Sequence, residues 1–216
     1  MLTETVQQMR RDYTLAALDE DTVHHNPFMQ FAAWFREATD AGIDEPNAMT
    51  LATSTPDGIP SARIVLLKGA DENGFTFYTN YTSQKSHDLL LNPCAALLFF
   101  WGELQRQVRI SGRVEKCSRE ESEAYFRSRP AESRIGAIAS AQSSVLQNRA
   151  VLEERFRELT EHYAGTDDIP MPDTWGGWRL IPASFEFWQG RASRLHDRLH
   201  FTLQDDGTWM IERLSP

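Results

Sequence analysis

Positive charge in this sequence gathers in three short segments: Arg63 to Lys68, Ser83-Gln84-Lys85, and Arg194-Leu195-His196-Asp197-Arg198. Each could hold a phosphate. A helix opening at Ser83 would offer free N–H groups and the positive end of its dipole, with the Ser83 hydroxyl and the Lys85 ammonium beside them; the alternative is a solvated cap. Arg63 and Lys68 bracket the apolar run Ile64, Val65, Leu66 and Leu67. Their odd spacing turns them to opposite faces of a regular strand, so either they reach a sheet edge or they meet an anion. Arg194, His196 and Arg198 alternate, which in an extended segment sets two guanidiniums and a group titrating near neutrality on one face. That suits an anionic substrate and proton handling, or else a surface patch paired with carboxylates. Tyr125, Arg129 and Ser133 recur every four residues, and a helix continued through Pro130 would align them as a further anion site. The sequence has no Ser-His-Asp order, HExxH or Walker motif, and side chains alone cannot accept two electrons. Redox chemistry here would need a borrowed cofactor.

The elements that must position these groups are legible in the apolar periodicity. Asn26-Pro27 opens a helix whose Phe28, Phe31, Ala32, Phe35 and Ala38 recur at helical spacing before Gly42. Short strands follow at Ala48–Thr55, Ala62–Lys68 and Phe75–Thr79, joined by turns at Pro56-Asp57-Gly58 and Asp71-Glu72-Asn73-Gly74, which implies antiparallel neighbours. Ala95–Trp101 is apolar on both faces and reads as a strand crossing the core, whereas Gln105–Lys116 alternates and reads as half exposed. Later strands are expected at Ser184–Trp188, Leu199–Leu203 and Thr208–Arg213. Three more helices are expected: one from near Ser83, one opened by the capping box Ser118-Arg119-Glu120-Glu121 and ended by Arg129-Pro130, and one over Val145–Tyr163. Many short strands with separated helices, and no GxGxxG after a first strand, favour an α+β, mainly antiparallel, barrel or strongly bent sheet over a Rossmann fold. Residues 1–26 lack an apolar stripe and are expected to be mobile, ahead of a single domain over 27–216.

Bulk properties bound the function. The 216 residues carry 22 Lys plus Arg against 31 Asp plus Glu, a net charge of −9, which argues against a nucleic-acid or anionic-membrane partner. Cys94 and Cys117 have no CxxC or zinc spacing, so neither a disulfide scaffold nor a metal site is expected. The amino terminus lacks a signal-peptide run, and the longest apolar stretch is too short to span a membrane; the expected location is the cytoplasm.

The segments RIVLLK (63–68), FYTN (77–80), RQVRISG (106–112), YFRSRP (125–130), WGG (175–177), EFWQG (186–190), RLHDR (194–198) and the closing IERLSP together resemble the pyridoxine (pyridoxamine) 5′-phosphate oxidases, from about Met9 to Pro216. The resemblance implies an FMN-binding split β-barrel with peripheral helices, forming a homodimer with FMN in clefts built by both subunits. It implies oxidation of pyridoxamine 5′-phosphate and pyridoxine 5′-phosphate to pyridoxal 5′-phosphate by O2, with H2O2 released, in vitamin B6 salvage. Residue by residue, it places FMN on Arg63, Ile64, Val65, Leu66, Leu67, Lys68, Tyr78, Thr79, Gln84, Lys85, Gln107, Gln142, Ser143, Trp188 and Arg198. It places the substrate phosphate on Lys68, Tyr125, Arg129 and Ser133. The catalytic pair Arg194 and His196 would lie over the pyridine ring, and Arg10 and Tyr13 would close the site as a lid. Where the family often has Ser-Arg-Lys, this chain has Ser83-Gln84-Lys85, which puts the role of position 84 in question. Two other readings compete: a split-barrel flavin oxidase acting on another ring, of the phenazine type, and a non-enzymatic flavin- or haem-binding split-barrel protein.

Overall fold

The structure is a computed structural model that describes Val6 and residues 13–216. Nine strands form a sheet in the order β2-β1-β5-β6-β7-β4-β3, with β8 paired to β7 and β9 to β8. They are β1 (Ala48–Ser54), β2 (Pro60–Leu66), β3 (Gly69–Asp71), β4 (Gly74–Asn80), β5 (Cys94–Trp101), β6 (Arg106–Lys116), β7 (Trp175–Gln189), β8 (Asp197–Leu203) and β9 (Trp209–Arg213). Five helices accompany them among the described residues: α1 (Pro27–Asp40), α2 (Gln84–Leu91), α3 (Arg119–Ser128), α4 (Ala131–Ala139) and α5 (Arg149–His162). The described residues pack as two compact units, one within Met1–Thr50, Ala96–Ser111 and Pro182–Pro216, the other of Leu51–Ala95 and Gly112–Ile181.

In the first unit, the Asn26 side chain accepts from the Phe28 N–H, and Pro27 supplies the first turn of α1. The helix buries Phe31, Trp34 and Ala38, and the Trp34 ring meets Phe187 edge-on at 5.4 Å. Val108 and Ile110 on β6, Phe185 and Phe187 on β7, and Leu199 and Phe201 on β8 are closed to solvent, so this core is built of alternate strand residues. Residues 13–26, part of the stretch expected to be mobile, bury Leu18 and Val23 here. In the second unit, β4 is buried along almost its whole length and pairs antiparallel with β7 from Phe75↔Leu180 to Asn80↔Trp175.

Several expectations need correction. The strand β5 does not bury both faces: its burial alternates, and Phe100 is 62% exposed. The strand expected at Ser184–Trp188 is the second half of the 15-residue β7. Gly176 and Gly177 in its first half serve close approach, since a Cβ on Gly177 would lie 2.7 Å from the Cys117 sulfur and one on Gly176 2.2 Å from the Tyr81 hydroxyl. Pro130 ends α3 as expected but also stands as the N-cap of α4, a position whose N–H makes no intrahelical bond. The last helix starts at Arg149 rather than Val145, where the Asn148 side chain caps the Val151 N–H.

Candidate functional site

A pocket of about 570 Å³ opens in the second unit. Its walls come from β2 (Arg63, Ile64, Val65, Leu66), the link after it (Lys68), β4 (Tyr78, Thr79, Asn80), α2 (Lys85), the α3 and α4 region (Tyr125, Arg129, Ser133, Gly136, Ala137), and Ser140, Gln142 and Trp175. Twelve residues expected to bind cofactor or substrate therefore share one cavity. Arg63 and Lys68 do so despite their odd spacing. The strand stops at Leu66, and Lys68 is freed of strand parity, its N–H donating to the Thr76 carbonyl at 2.8 Å.

One end of the chemistry centres on Lys85, whose residue is 9% exposed. Its Nζ donates to Gln142 Oε1 at 2.8 Å, Thr79 Oγ1 at 3.2 Å and Ser83 Oγ at 3.3 Å, and none of these acceptors carries charge. Burial, then the nearby Arg63, pulls the ammonium down to about 8. Ser83 is fully buried with its hydroxyl turned to Lys85, so the solvated-cap alternative does not describe it. Arg63 is braced by the protein: Nη1 donates to the Leu51 carbonyl at 3.1 Å and Thr53 Oγ1 at 2.8 Å, and Nη2 donates to Ser61. Burial lowers its pKa and Asp88 opposes that shift. Lys85 and Arg63 together give a buried positive field suited to a phosphate dianion.

The other end is aromatic and holds Arg129. Tyr78 stacks on Tyr125 at 4.0 Å and on Trp175 at 5.4 Å, and the Arg129 guanidinium lies 4.9 Å from the centre of the Trp175 ring. Burial raises the pKa of the Tyr78 hydroxyl, which therefore stays protonated. Arg129 Nη2 donates to the Ser133 carbonyl at 2.9 Å, while Nη1 is buried without a partner. A buried guanidinium N–H left unpaired is costly, so this atom calls for an acceptor from outside the chain. The helix ends before Pro130 rather than continuing through it, so Tyr125, Arg129 and Ser133 are not aligned on one helix, and the three still line one pocket.

Other expected residues fall elsewhere. Leu67 is buried and does not line the pocket. The Gln84 amide turns back along its own helix to Asp88 Oδ1 at 2.8 Å, and only its backbone N–H meets Ser143 Oγ, at 3.3 Å. Asn80 and Trp175 line the pocket without having been anticipated. For Trp175 the signal was available, since the WGG segment begins with it. Arg10 lies outside the described residues.

Gln107, Trp188, Arg194, His196 and Arg198 belong to the first unit, with Tyr13. The segment 194–198 is not extended throughout: Ser193 and Arg194 take left-handed backbone at φ 56° and 62°, and β8 begins only at Asp197. The three-on-one-face arrangement therefore does not form. His196 lies 4.7 Å from the Trp188 ring and 5.7 Å from Tyr13. Its Nδ1 accepts the Arg191 backbone N–H at 3.1 Å, and burial, followed by Arg194, lowers its pKa. Both effects favour the neutral ring, in which the Nδ1 acceptor role leaves the proton on Nε2. Arg198 donates through Nε and Nη2 to Glu186 at 3.0 and 3.1 Å and through Nη1 to the Ser215 carbonyl at 2.7 Å.

The fold and pocket define an antiparallel split-barrel protein with a buried cationic site of a size and charge to take phosphorylated ring compounds. A family model described as "Pyridoxamine 5′-phosphate oxidase" matches residues 35–163, and one described as "Pyridoxine 5′-phosphate oxidase C-terminal dimerisation region" matches residues 175–216. A pyridoxine/pyridoxamine 5′-phosphate oxidase of Trichormus variabilis is 59% identical over 212 residues, covering 98% of this chain and 99% of that one. A namesake from Burkholderia lata is 58% identical over 214 residues, with 98% and 99% coverage. The chain belongs to the pyridoxamine 5′-phosphate oxidase family and is an oxidoreductase of that family.

Among solved structures, PhzG from Burkholderia lata, in complex with tetrahydrophenazine-1-carboxylic acid, superposes with a TM-score of 0.87 at 30% identity, covering 94% of this chain and 99% of that one. A pyridoxamine 5′-phosphate oxidase-related, FMN binding protein from Nostoc punctiforme has a TM-score of 0.71 at 16% identity, with 90% and 100% coverage, and shares the fold.

Proposed function

We propose that the protein oxidises pyridoxamine 5′-phosphate and pyridoxine 5′-phosphate to pyridoxal 5′-phosphate as a homodimer, with FMN as its cofactor. The observation that carries this reading is one pocket with two separate demands for an anion, the uncompensated Lys85 ammonium and the orphaned Arg129 Nη1. Two phosphorylated ligands meet both demands. Lys85, Arg63, Thr79 and Gln142 hold the FMN phosphate, with Ser143 and the Gln84 backbone nearby and Ile64 to Leu66 along the cofactor. Lys68, Tyr125, Arg129 and Ser133 hold the substrate phosphate. The family resemblance further assigns Gln107, Trp188 and Arg198 to the cofactor and Arg10 and Tyr13 to the substrate.

Bound FMN supplies the electron-pair acceptor that side chains lack, and O2 carries the pair away as H2O2. The chain's own part is to bind and orient. The substrate phosphate fixes the ring, Arg194 offers a cation to it, and His196 presents Nε2–H as a donor. For the amine, C4′ loses two electrons, water enters, and aldehyde, ammonia and H2O2 leave; for the alcohol, aldehyde and H2O2 leave. The likeness to PhzG raises a second reading, oxidation of a phosphate-free ring. A ring carboxylate would also offer Arg129 Nη1 an acceptor, but the relatives at 58–59% identity carry the vitamin name.

The purified protein is expected to be yellow, to release FMN rather than riboflavin on denaturation, and to scatter light as a dimer. A protein whose melting temperature is unmoved by saturating FMN would contradict the cofactor assignment, since a ligand of the native state must stabilise it.

A further inference from the structure

An ionic network in the first unit ties the chain near Tyr13 to the segment that carries His196. Both backbone groups of Leu18 are held: its N–H donates to Asp197 Oδ2 at 3.1 Å, and its carbonyl accepts from Arg213 Nη2 at 3.1 Å. Arg213 also grips Glu20, through Nε at 2.7 Å and Nη2 at 2.5 Å, and donates from Nη1 to Asp197 Oδ1 at 2.8 Å. Asp197 Oδ2 accepts a further bond from Arg191 Nη1 at 2.8 Å, and the Arg191 N–H is the donor that orients His196. A single carboxylate, 15% exposed, thus joins β8, β9, the His196 turn and the residues that follow Tyr13.

Tyr13 itself is seated tightly. Its ring meets Trp188 edge-on at 5.8 Å and His196 at 5.7 Å, the Thr14 N–H donates to Gln105 Oε1 at 3.0 Å, and a Cβ on Gly190 would lie 2.8 Å from the Tyr13 ring. No bond from the Tyr13 hydroxyl to the chain is needed to hold it there; what fixes the residue is the run of backbone anchors at Thr14 and Leu18 together with the ring contacts.

We propose that Glu20, Arg213 and Asp197 form a clasp that sets Tyr13 against His196 and Trp188, and so act as positioning residues for the ring end of the substrate. The kinetic part of this proposal rests on the substrate reading above; the structural part does not. Glu20 and Arg213 are partly exposed, so Glu20→Gln is expected to raise KM for pyridoxamine 5′-phosphate by only about two- to fivefold. Asp197→Asn removes the charge at the junction and is expected to raise KM by about tenfold, with kcat and the FMN dissociation constant little changed.

The test is hydrogen exchange at the Thr14 and Leu18 amides of the FMN-loaded dimer, alongside KM in a cycle with Tyr13→Ala. Both clasp variants are expected to speed exchange at the two amides, and Glu20→Gln is expected to add nothing to KM once Tyr13 is alanine, because the clasp acts through Tyr13. Unchanged exchange at Thr14 in the well-tolerated Glu20→Gln protein would overturn the proposal, as would additive effects on KM. Failure of the unsubstituted protein to turn over the substrate would contradict the function reading, and the exchange result would still decide the clasp.

Discussion

Replacing Arg129 with alanine is expected to raise KM for pyridoxamine 5′-phosphate by about 10- to 100-fold while leaving FMN in place, since a charge-assisted phosphate contact contributes roughly 1.5–3 kcal/mol. Arg129 is the residue with a buried, unpartnered Nη1, and its other Nη is already spent on the Ser133 carbonyl. The guanidinium is therefore oriented before any ligand arrives. Its loss removes a contact made equally in the bound ground state and the transition state, so the effect belongs in KM rather than kcat. Steady-state kinetics at saturating FMN, with a parallel FMN titration, separates the two ligands. An FMN affinity that fell as far as KM rose would mean that Arg129 serves the cofactor, and the two-phosphate division of the pocket would be wrong.

The second large effect is expected at Lys85. Lys85→Met should weaken FMN binding by about 10- to 100-fold, by the same charge-assisted magnitude. The FMN-free protein should melt no lower than the unsubstituted one, because the replaced ammonium is buried among neutral acceptors only and its burial opposes folding. A lower melting temperature would instead assign Lys85 a structural role.

Lys85 in the free protein titrates near 8, below its unfolded value, so between about pH 8 and 10.5 the unfolded chain binds the extra proton and this group makes the FMN-free protein more stable as pH rises. Binding a phosphate dianion restores the proton. FMN affinity is therefore expected to hold up to about pH 8 and then to fall by at most about tenfold per pH unit, a fall that Lys85→Met should lack. Titrations at constant ionic strength keep screening from imitating it.

Much of this site was legible in the sequence, and the misses share a cause. Arg63, Lys68, Tyr125, Arg129 and Ser133 each stand out by type and spacing, yet the spacing sets Arg63 and Lys68 on one unbroken strand and aligns Tyr125, Arg129 and Ser133 only through a helix that Pro130 is expected to end. The pocket exists because those elements break: β2 stops at Leu66, α3 stops at Ser128, and α4 restarts after Pro130. Periodicity reports where a chain is regular and is silent on where it turns a side chain by leaving regularity. The first half of β7 was missed for a related reason. Gly176 and Gly177 lack the side chains that mark a strand because Tyr81 and Cys117 occupy that space, a tertiary fact with no local trace. Gln84 shows the reverse: its place in a cationic segment suggested a ligand contact, but the buried Asp88 carboxylate four residues on claims its amide.

The most direct test of the central claim is to supply the FMN-saturated protein with pyridoxamine 5′-phosphate in air and measure aldehyde and H2O2 together, with tetrahydrophenazine-1-carboxylic acid and unphosphorylated pyridoxamine as comparators. Pyridoxal 5′-phosphate and H2O2 are expected to appear one for one over many turnovers, to stop when oxygen is withdrawn, and to depend on the substrate phosphate. Oxidation of the phosphate-free ring without turnover of pyridoxamine 5′-phosphate would contradict it.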